Sequence, residues 1–460
     1  MLFPTVTFAL FFLIVLPVSW ALMPYQRVWQ VWILLASYVF YGWWDWRFVF
    51  LLAASTIVNH VLAVAIHRAS TIAARKTLLA LALAFDLGLL GYFKYANFFL
   101  SSADNLFGMS WIAHVVLPVG ISFFTFMAIS YVVDTYRGIL VPTSLARFAV
   151  FQAFFPHLVA GPIVRASELL PQLERPRDPR RVDVSRAFVL IVVGLFLKVV
   201  IANHLATHIV DEVFAAPNRH SSLEVLVGVY GYAVQIFADF CGYTNIAIGV
   251  ALLLGFQFPQ NFASPYTAVS LQDFWRRWHM TLSRWLRDYL YIPLGGSRKG
   301  SWMTYRNLML TMLLGGLWHG AAWTFVAWGA IHGTGLALER ALGWRPTTTA
   351  ARWFGRVLTF NVVCFAWIFF RSGSFARAGD VIERLFTAWG QPSPLVTTSV
   401  VLAILVGVGG QYVRSDAILA VFKSFGRLPL PAQAAAVGIC LMLINTLGPE
   451  GVAPFIYFRF

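Results

Sequence analysis

Apolar runs of nearly membrane-spanning length recur along the whole chain, separated by short polar connections. A spanning helix needs about 20 mainly apolar residues. Runs that approach this length lie at 3–22, 28–44, 48–66, 77–93, 112–133, 145–164, 187–203, 223–240, 243–257, 307–325, 326–339, 354–370, 396–412 and 432–447. Several are too short or too interrupted to cross alone. The pattern predicts an all-α polytopic membrane protein with about 11 transmembrane helices, the other runs forming re-entrant or interfacial helices. The sequence carries no visible internal repeat, which weighs against a transporter built from paired halves. One continuous membrane domain over 1–460 is the expectation.

Composition agrees. The chain is 59% hydrophobic and only 12% charged, whereas a soluble protein carries about 25% charged residues. The first 22 residues hold no charge, so they lack the basic n-region of a secretory signal and read as a retained transmembrane helix. Cys241, Cys364 and Cys440 are far apart and lie in apolar sequence. No CxxC spacing exists, so neither a cysteine metal site nor a disulfide framework is expected, and all three read as small buried residues. No metal centre is predicted.

The net charge of +15 changes the picture through its distribution. No polar, basic domain is present, which excludes nucleic acid as a partner. The cations sit in short loops. Arg68, Arg75 and Lys76 mark one, and Arg165, Arg175, Arg177, Arg180, Arg181 and Arg186 a second. A third runs from Arg276 to Arg306, and Arg340, Arg345, Arg352 and Arg356 form the fourth. Loop bias puts all four on the cytoplasmic side, and the acid-containing stretch 204–222 on the outer side. Residues 258–306 are too polar to cross and are expected to form a cytoplasmic-face interfacial insert, with Trp275, Trp278, Trp285 and Tyr289 anchoring it at headgroup depth.

Polar residues inside apolar spans are expensive and are functional candidates. Residues 307–340 would measure about 51 Å as one straight helix, against a hydrocarbon core of about 30 Å. Both ends carry cytoplasmic-type charge, so the segment must break, and the glycines around His319 (Gly315, Gly316, Gly320) are the place. His319 falls about 18 Å past Asn307 at the helical rise, well inside the membrane. A neutral imidazole there can take the proton of a hydroxyl attacking an acyl carbonyl. His279 is a second candidate if the insert folds back into the core. His332 reads as structural, and no role is assigned to His60, His67, His114, His204, His208 or His220 near span ends. Asp239 and Asn245 interrupt an apolar run. The acid needs a partner, and an arginine is the candidate. The turn at 293–300 (PLGGSRKG) offers amides and cations to a phosphate, although an ordinary cytoplasmic turn is the favoured explanation of the pattern taken alone. No GxSxG, P-loop or HExxH pattern occurs.

Several blocks resemble the membrane-bound O-acyltransferase family, and its bacterial alginate O-acetyltransferase branch in particular. They are SYVFYGWWDWRF (37–48), LPVGISFFTFMAISYVVDTYRG (117–138), FFPHLVAGPIVRASELLPQL (154–173), FADFCGYTNIAIGVALLLGFQFPQNF (237–262), DFWRRWHMTLSRWLRDYLYIPLGGSRKG (273–300), NLMLTMLLGGLWHGAAWTFVAWGAIHG (307–333) and PFIYFRF (454–460). The resemblance implies helices around a central tunnel. It matches His319 to the family's catalytic histidine and His279 to its second one, with Asn307 and Trp318 beside the tunnel and Asp239, Asn245 and His332 as polar tunnel candidates. It implies no bound cofactor. Acetyl-CoA or another acyl thioester is the donor, met on the cytoplasmic face, where Arg276, Arg277, Arg298 and Lys299 suit its phosphates by charge. The acyl group then reaches a hydroxyl of a secreted, alginate-like polysaccharide, or an extracytoplasmic SGNH-like acetyltransferase partner, at the bacterial inner membrane. Met127 stands for a Gln of the family pattern, His157 often appears as Gln, and Asn245 stands for an Asp. Cellulose, peptidoglycan and other secreted glycans stay open as acceptors. Two readings from other classes compete: a transporter or flippase for an acyl carrier or lipid-linked sugar, and a non-catalytic scaffold.

Overall fold

In the computed structural model of the chain, residues 1–107, 115–175 and 177–449 are described. His114, the start of the expected span at 112–133 and the terminal PFIYFRF block lie outside the described residues. Those that are described form helices and connections, with no strand among them. Helix is the economical solution in lipid, because it satisfies backbone polar groups within one segment. Many starts are fixed by side-chain caps: Thr5, Thr71, Ser144, Ser270, Thr348, Ser374 and Thr397 each accept a first-turn N–H.

Six described helical stretches are long and apolar enough to cross a membrane, or seven if the pair Thr398–Tyr412 and Asp416–Arg427, bent by 94°, counts as one span. Val6–Leu22 and Ile121–Tyr136 are shorter apolar helices. Three expected runs behave differently. The runs at 223–240 and 243–257 are one unbroken helix, Ser222–Leu253, because Asp239 and Asn245 are accommodated inside it. The run at 145–164 does not cross. It stops at Ala153, restarts as the single turn Phe155–Leu158 with Pro156 in its first turn, and ends in a connection.

The described chain forms two compact units, Met1–Ala187 with Ala247–Pro259, and Phe188–Ile246 with Gln260–Phe460. In the first, buried polar groups join helices to one another. Asn59 donates to Asp86 Oδ1 at 2.8 Å, and Gln152 donates to Ser55 Oγ at 3.0 Å. Arg177 lies over the rings of Trp29 and Phe256, its guanidinium carbon 3.4 and 4.3 Å from their centroids, a cation–π clamp.

The second unit carries the histidine segments. Its buried face is set by Ser222–Leu253, 89% of whose apolar window is buried, whereas Leu430–Leu447 at 6% offers its apolar side chains outward. Asp239 pairs with Lys198 at 2.6 Å, with side-chain exposures of 4% and 2%. The partner is a lysine, not the expected arginine. Backbone contact brings it there: a methyl on Gly194 would strike the Gly242 carbonyl, and the reverse holds too. A close helix crossing through small residues thus seats Lys198 against Asp239.

The insert also differs from expectation. Trp278 and Trp285 are 1% and 6% exposed, so they pack inward and do not anchor at headgroup depth. Trp278 stacks on Phe274 and meets Phe262 edge-on. The exposed tryptophans are others, among them Trp43, Trp44, Trp46 and, near the end of the insert, Trp302, which suit an interfacial belt.

Candidate active site

The 307–340 segment breaks where glycine permits. Gly300–His319 ends on His319, and Trp323–Ala341 begins after the extended residues Gly320 and Ala322. The two helices then pack backbone to backbone. A methyl on Gly316 would overlap the Phe325 carbonyl, and one on Gly329 the Met312 carbonyl. Glycine is required at this crossing for space. The result puts His319 at the inner end of a helix, 4% exposed. Its ring is 5.0 Å from Trp318, 5.0 Å from Trp328 and 5.3 Å from Phe370, all edge-on.

His279 reaches the same cluster from the insert. It sits between the helices Leu271–Arg277 and Met280–Leu286 with φ +41, a left-handed backbone that costs a non-glycine residue about 1–3 kcal/mol and is held only where surroundings enforce it. Its ring is fully buried, edge-on to Phe240 at 4.6 Å and 6.0 Å from Trp318. It is outside the spanning segments. Burial penalises the charged imidazolium and pulls its pKa down from 6.5 to about 3, so it is neutral at physiological pH. His332 completes the set. It is fully buried, 4.8 Å from Trp328 by ring centroids, and its Nδ1 accepts from Trp275 Nε1–H at 3.3 Å. The rings form a continuous series, His279–Trp318–His319–Trp328–His332. The three imidazoles share a water-poor, aromatic-walled setting, where low dielectric strengthens each polar contact made.

The segment that carries this series falls inside a longer match. The family model for MBOAT, membrane-bound O-acyltransferases, matches residues 15–375. The chain belongs to the membrane-bound O-acyltransferase family. It is a multi-pass membrane O-acyltransferase. Its relatives include the probable alginate O-acetylase AlgI of Azotobacter vinelandii, 39% identical over 472 residues (93% of this chain, 94% of that protein). AlgI of Pseudomonas aeruginosa is 43% identical over 370 residues (79% of this chain, 70% of that protein). The peptidoglycan O-acetyltransferase of Helicobacter pylori is 38% identical over 391 residues (77% and 73%).

The remaining sequence candidates of this O-acyltransferase fall into four groups. Trp318 stands between the two histidines. Asn307 is buried and fully occupied: its Nδ2 donates to the Gly296 carbonyl at 2.9 Å and its Oδ1 accepts from Arg306 at 2.8 Å. It therefore holds the PLGG turn in shape. Arg276, Arg298 and Lys299 are exposed, while Arg277 is tied to Asp273 at 2.9 Å and to the Ala263 carbonyl. Asp239 is in the Lys198 pair, and Asn245 makes a 3.8 Å contact with Cys241 Sγ. Sequence reasoning read Trp275 as a headgroup anchor, whereas its indole N–H meets His332, and it passed over Trp328 and Asn261. Asn261 is the penultimate residue of the quoted FPQNF stretch, yet a lone Asn in a polar insert looks like any loop residue.

Proposed function

We propose that this protein transfers an acetyl group from a cytoplasmic thioester donor to a hydroxyl of a secreted or cell-surface polysaccharide, directly or through an extracytoplasmic acetyltransferase partner, at the bacterial inner membrane. The observation that carries the reading is the packing of His319 and His279 around Trp318 inside the family-matched region. Relatives named for alginate and peptidoglycan O-acetylation support a glycan acceptor, with an alginate-like polymer as the first candidate. The exposed Arg276, Arg298 and Lys299 suit the phosphates of coenzyme A or of a phosphopantetheine arm.

In this reading His319 is the general base. Its neutral imidazole takes the hydroxyl proton as the acceptor oxygen bonds to the thioester carbonyl carbon. The tetrahedral centre collapses, the carbon–sulfur bond breaks, and the leaving thiolate takes the proton back from the imidazolium. The products are the O-acetyl ester and the free thiol. His279, neutral and buried, contacts the reacting hydroxyl. The test is His319→Ala in the native host, with membrane levels matched and O-acetyl content of secreted polysaccharides read by NMR. Loss of acetyl from one polymer supports the reading and names the acceptor. Unchanged acetylation of every polymer overturns it.

A further inference from the structure

The turn that carries His279 is stapled by one residue. The Asn261 carbonyl accepts from Met280 N–H at 2.9 Å. Its side-chain Oδ1 accepts from Thr281 N–H at 3.2 Å, faces the Thr281 hydroxyl at 2.9 Å and faces His279 Nδ1 at 3.1 Å. Asn261 and Thr281 are both 1% exposed. The assignment of the amide follows from chemistry. A backbone N–H can only donate, so the amide atom it meets must be the oxygen; the flipped amide would set donor against donor. With oxygen there, His279 Nδ1 must carry hydrogen. A neutral imidazole has one N–H, so Nε2 is left as a bare lone pair. Among the described residues Nε2 makes no hydrogen bond, although it is buried. His332 shows the opposite state by the same logic. Trp275 Nε1–H can only donate, so Nδ1 of His332 is bare and its hydrogen is on Nε2.

The geometry points to Asn261 as the positioning residue that fixes His279 in its Nδ1–H tautomer, leaving Nε2 to accept a hydrogen bond from the incoming hydroxyl as it enters, before that hydrogen turns to His319 for the transfer. This rests on the acyl-transfer reading for the identity of the partner. Of the two substrates, only the acceptor alcohol brings a hydrogen on its reacting atom; a thioester carbonyl has none to give. A buried lone pair with no protein donor is therefore matched to the hydroxyl. The left-handed backbone at His279 fits the same purpose, since it turns the ring inward at a junction where an ordinary helix would continue. The Met280 and Thr281 bonds to Asn261 hold it there.

The experiment is 15N NMR of the full-length protein, labelled at histidine, in lipid nanodiscs. His279 is assigned by difference against His279→Gln. The wild type is expected to show a protonated Nδ1 and an unprotonated Nε2. Asn261→Leu is expected to lose that signature and to lower the initial rate of polysaccharide acetylation in the host by about tenfold to a hundredfold at matched protein level. Asn261→Asp, which keeps an accepting oxygen, is expected to keep the signature and restore the rate to within about threefold. A wild-type Nε2–H signal overturns the proposal on its own, even if Asn261→Leu fails to fold. An Asn261→Leu protein that keeps either the signature or the rate also overturns it. Failure of the acyl-transfer reading is seen separately, as unaltered acetylation in His319→Ala.

Discussion

His157, in the first unit, and His279, in the second, are both buried to within 1% exposure, and each is held through one ring nitrogen by an oxygen that can only accept. His157 Nε2 meets the Phe151 carbonyl at 2.8 Å, six residues back near the end of the preceding helix. His279 Nδ1 meets the side chain of Asn261. The bonds are alike; the surroundings are not. His157 is ringed by Phe151, Phe154 and Phe258, none of which can exchange a proton. His279 adjoins a series that leads through Trp318 to His319. It also sits on a strained backbone that a structural histidine does not need. A pinned imidazole is thus no evidence of chemistry by itself. What it can reach supplies the evidence.

The largest effect expected from this contrast is on activity. His279→Ala should lower polysaccharide acetylation by about a hundredfold or more, in the range of a lost acid–base group. His157→Gln at matched protein level should leave it within about threefold. O-acetyl content per unit of membrane protein checks both, and equal losses would erase the distinction. A smaller effect concerns stability. The folded protein keeps His279 unprotonated down to about 3, whereas the unfolded chain binds a proton below 6.5. The unfolded state therefore binds more protons through this window, and stability falls as pH falls from about 6.5 towards 3. At pH 4 the penalty from this residue is about 3 kcal/mol. Thermal unfolding in detergent at pH 7 and pH 4 should show a shallower pH dependence for His279→Gln than for the wild type. The smallest effect belongs to His157. Replacing it with Leu leaves the Phe151 carbonyl without its buried donor and should cost about 1–3 kcal/mol at pH 7. Burial pulls the His157 pKa down from 6.5 to about 4, so the wild type loses stability as pH falls through that window and the variant does not, read as a lower melting temperature at pH 7 and a shallower pH slope.

Much of this was legible in the sequence. The apolar runs gave the helical membrane architecture, and the glycine-flanked His319 gave the break, which falls at Gly320 as spacing and length required. The family blocks marked both histidines. Other features depend on contacts that no local pattern encodes. Nothing in the sequence distinguishes Lys198 from a snorkelling lysine until Gly194 and Gly242 bring two helices together. Asp239 and Asn245 looked like interruptions, yet the helix Ser222–Leu253 runs through them because partners on the same unit absorb their polarity. Trp278 and Trp285 read as interfacial anchors because composition cannot tell an aromatic at a headgroup from one inside a protein core. Asn261 and His279 are eighteen residues apart, and only the folded turn puts the amide against the ring.

The central claim is that His279 and His319 act on one proton transfer, and a double-mutant cycle addresses it most directly. His279→Ala, His319→Ala and the double variant would be compared in the native host for initial O-acetylation rate at matched protein level. Residues that act as a unit lose their contribution together. The account predicts that each single variant falls by about a hundredfold or more and that the double variant is no slower than the slower single. Losses that multiply in the double variant would place the two histidines in separate steps and contradict the account.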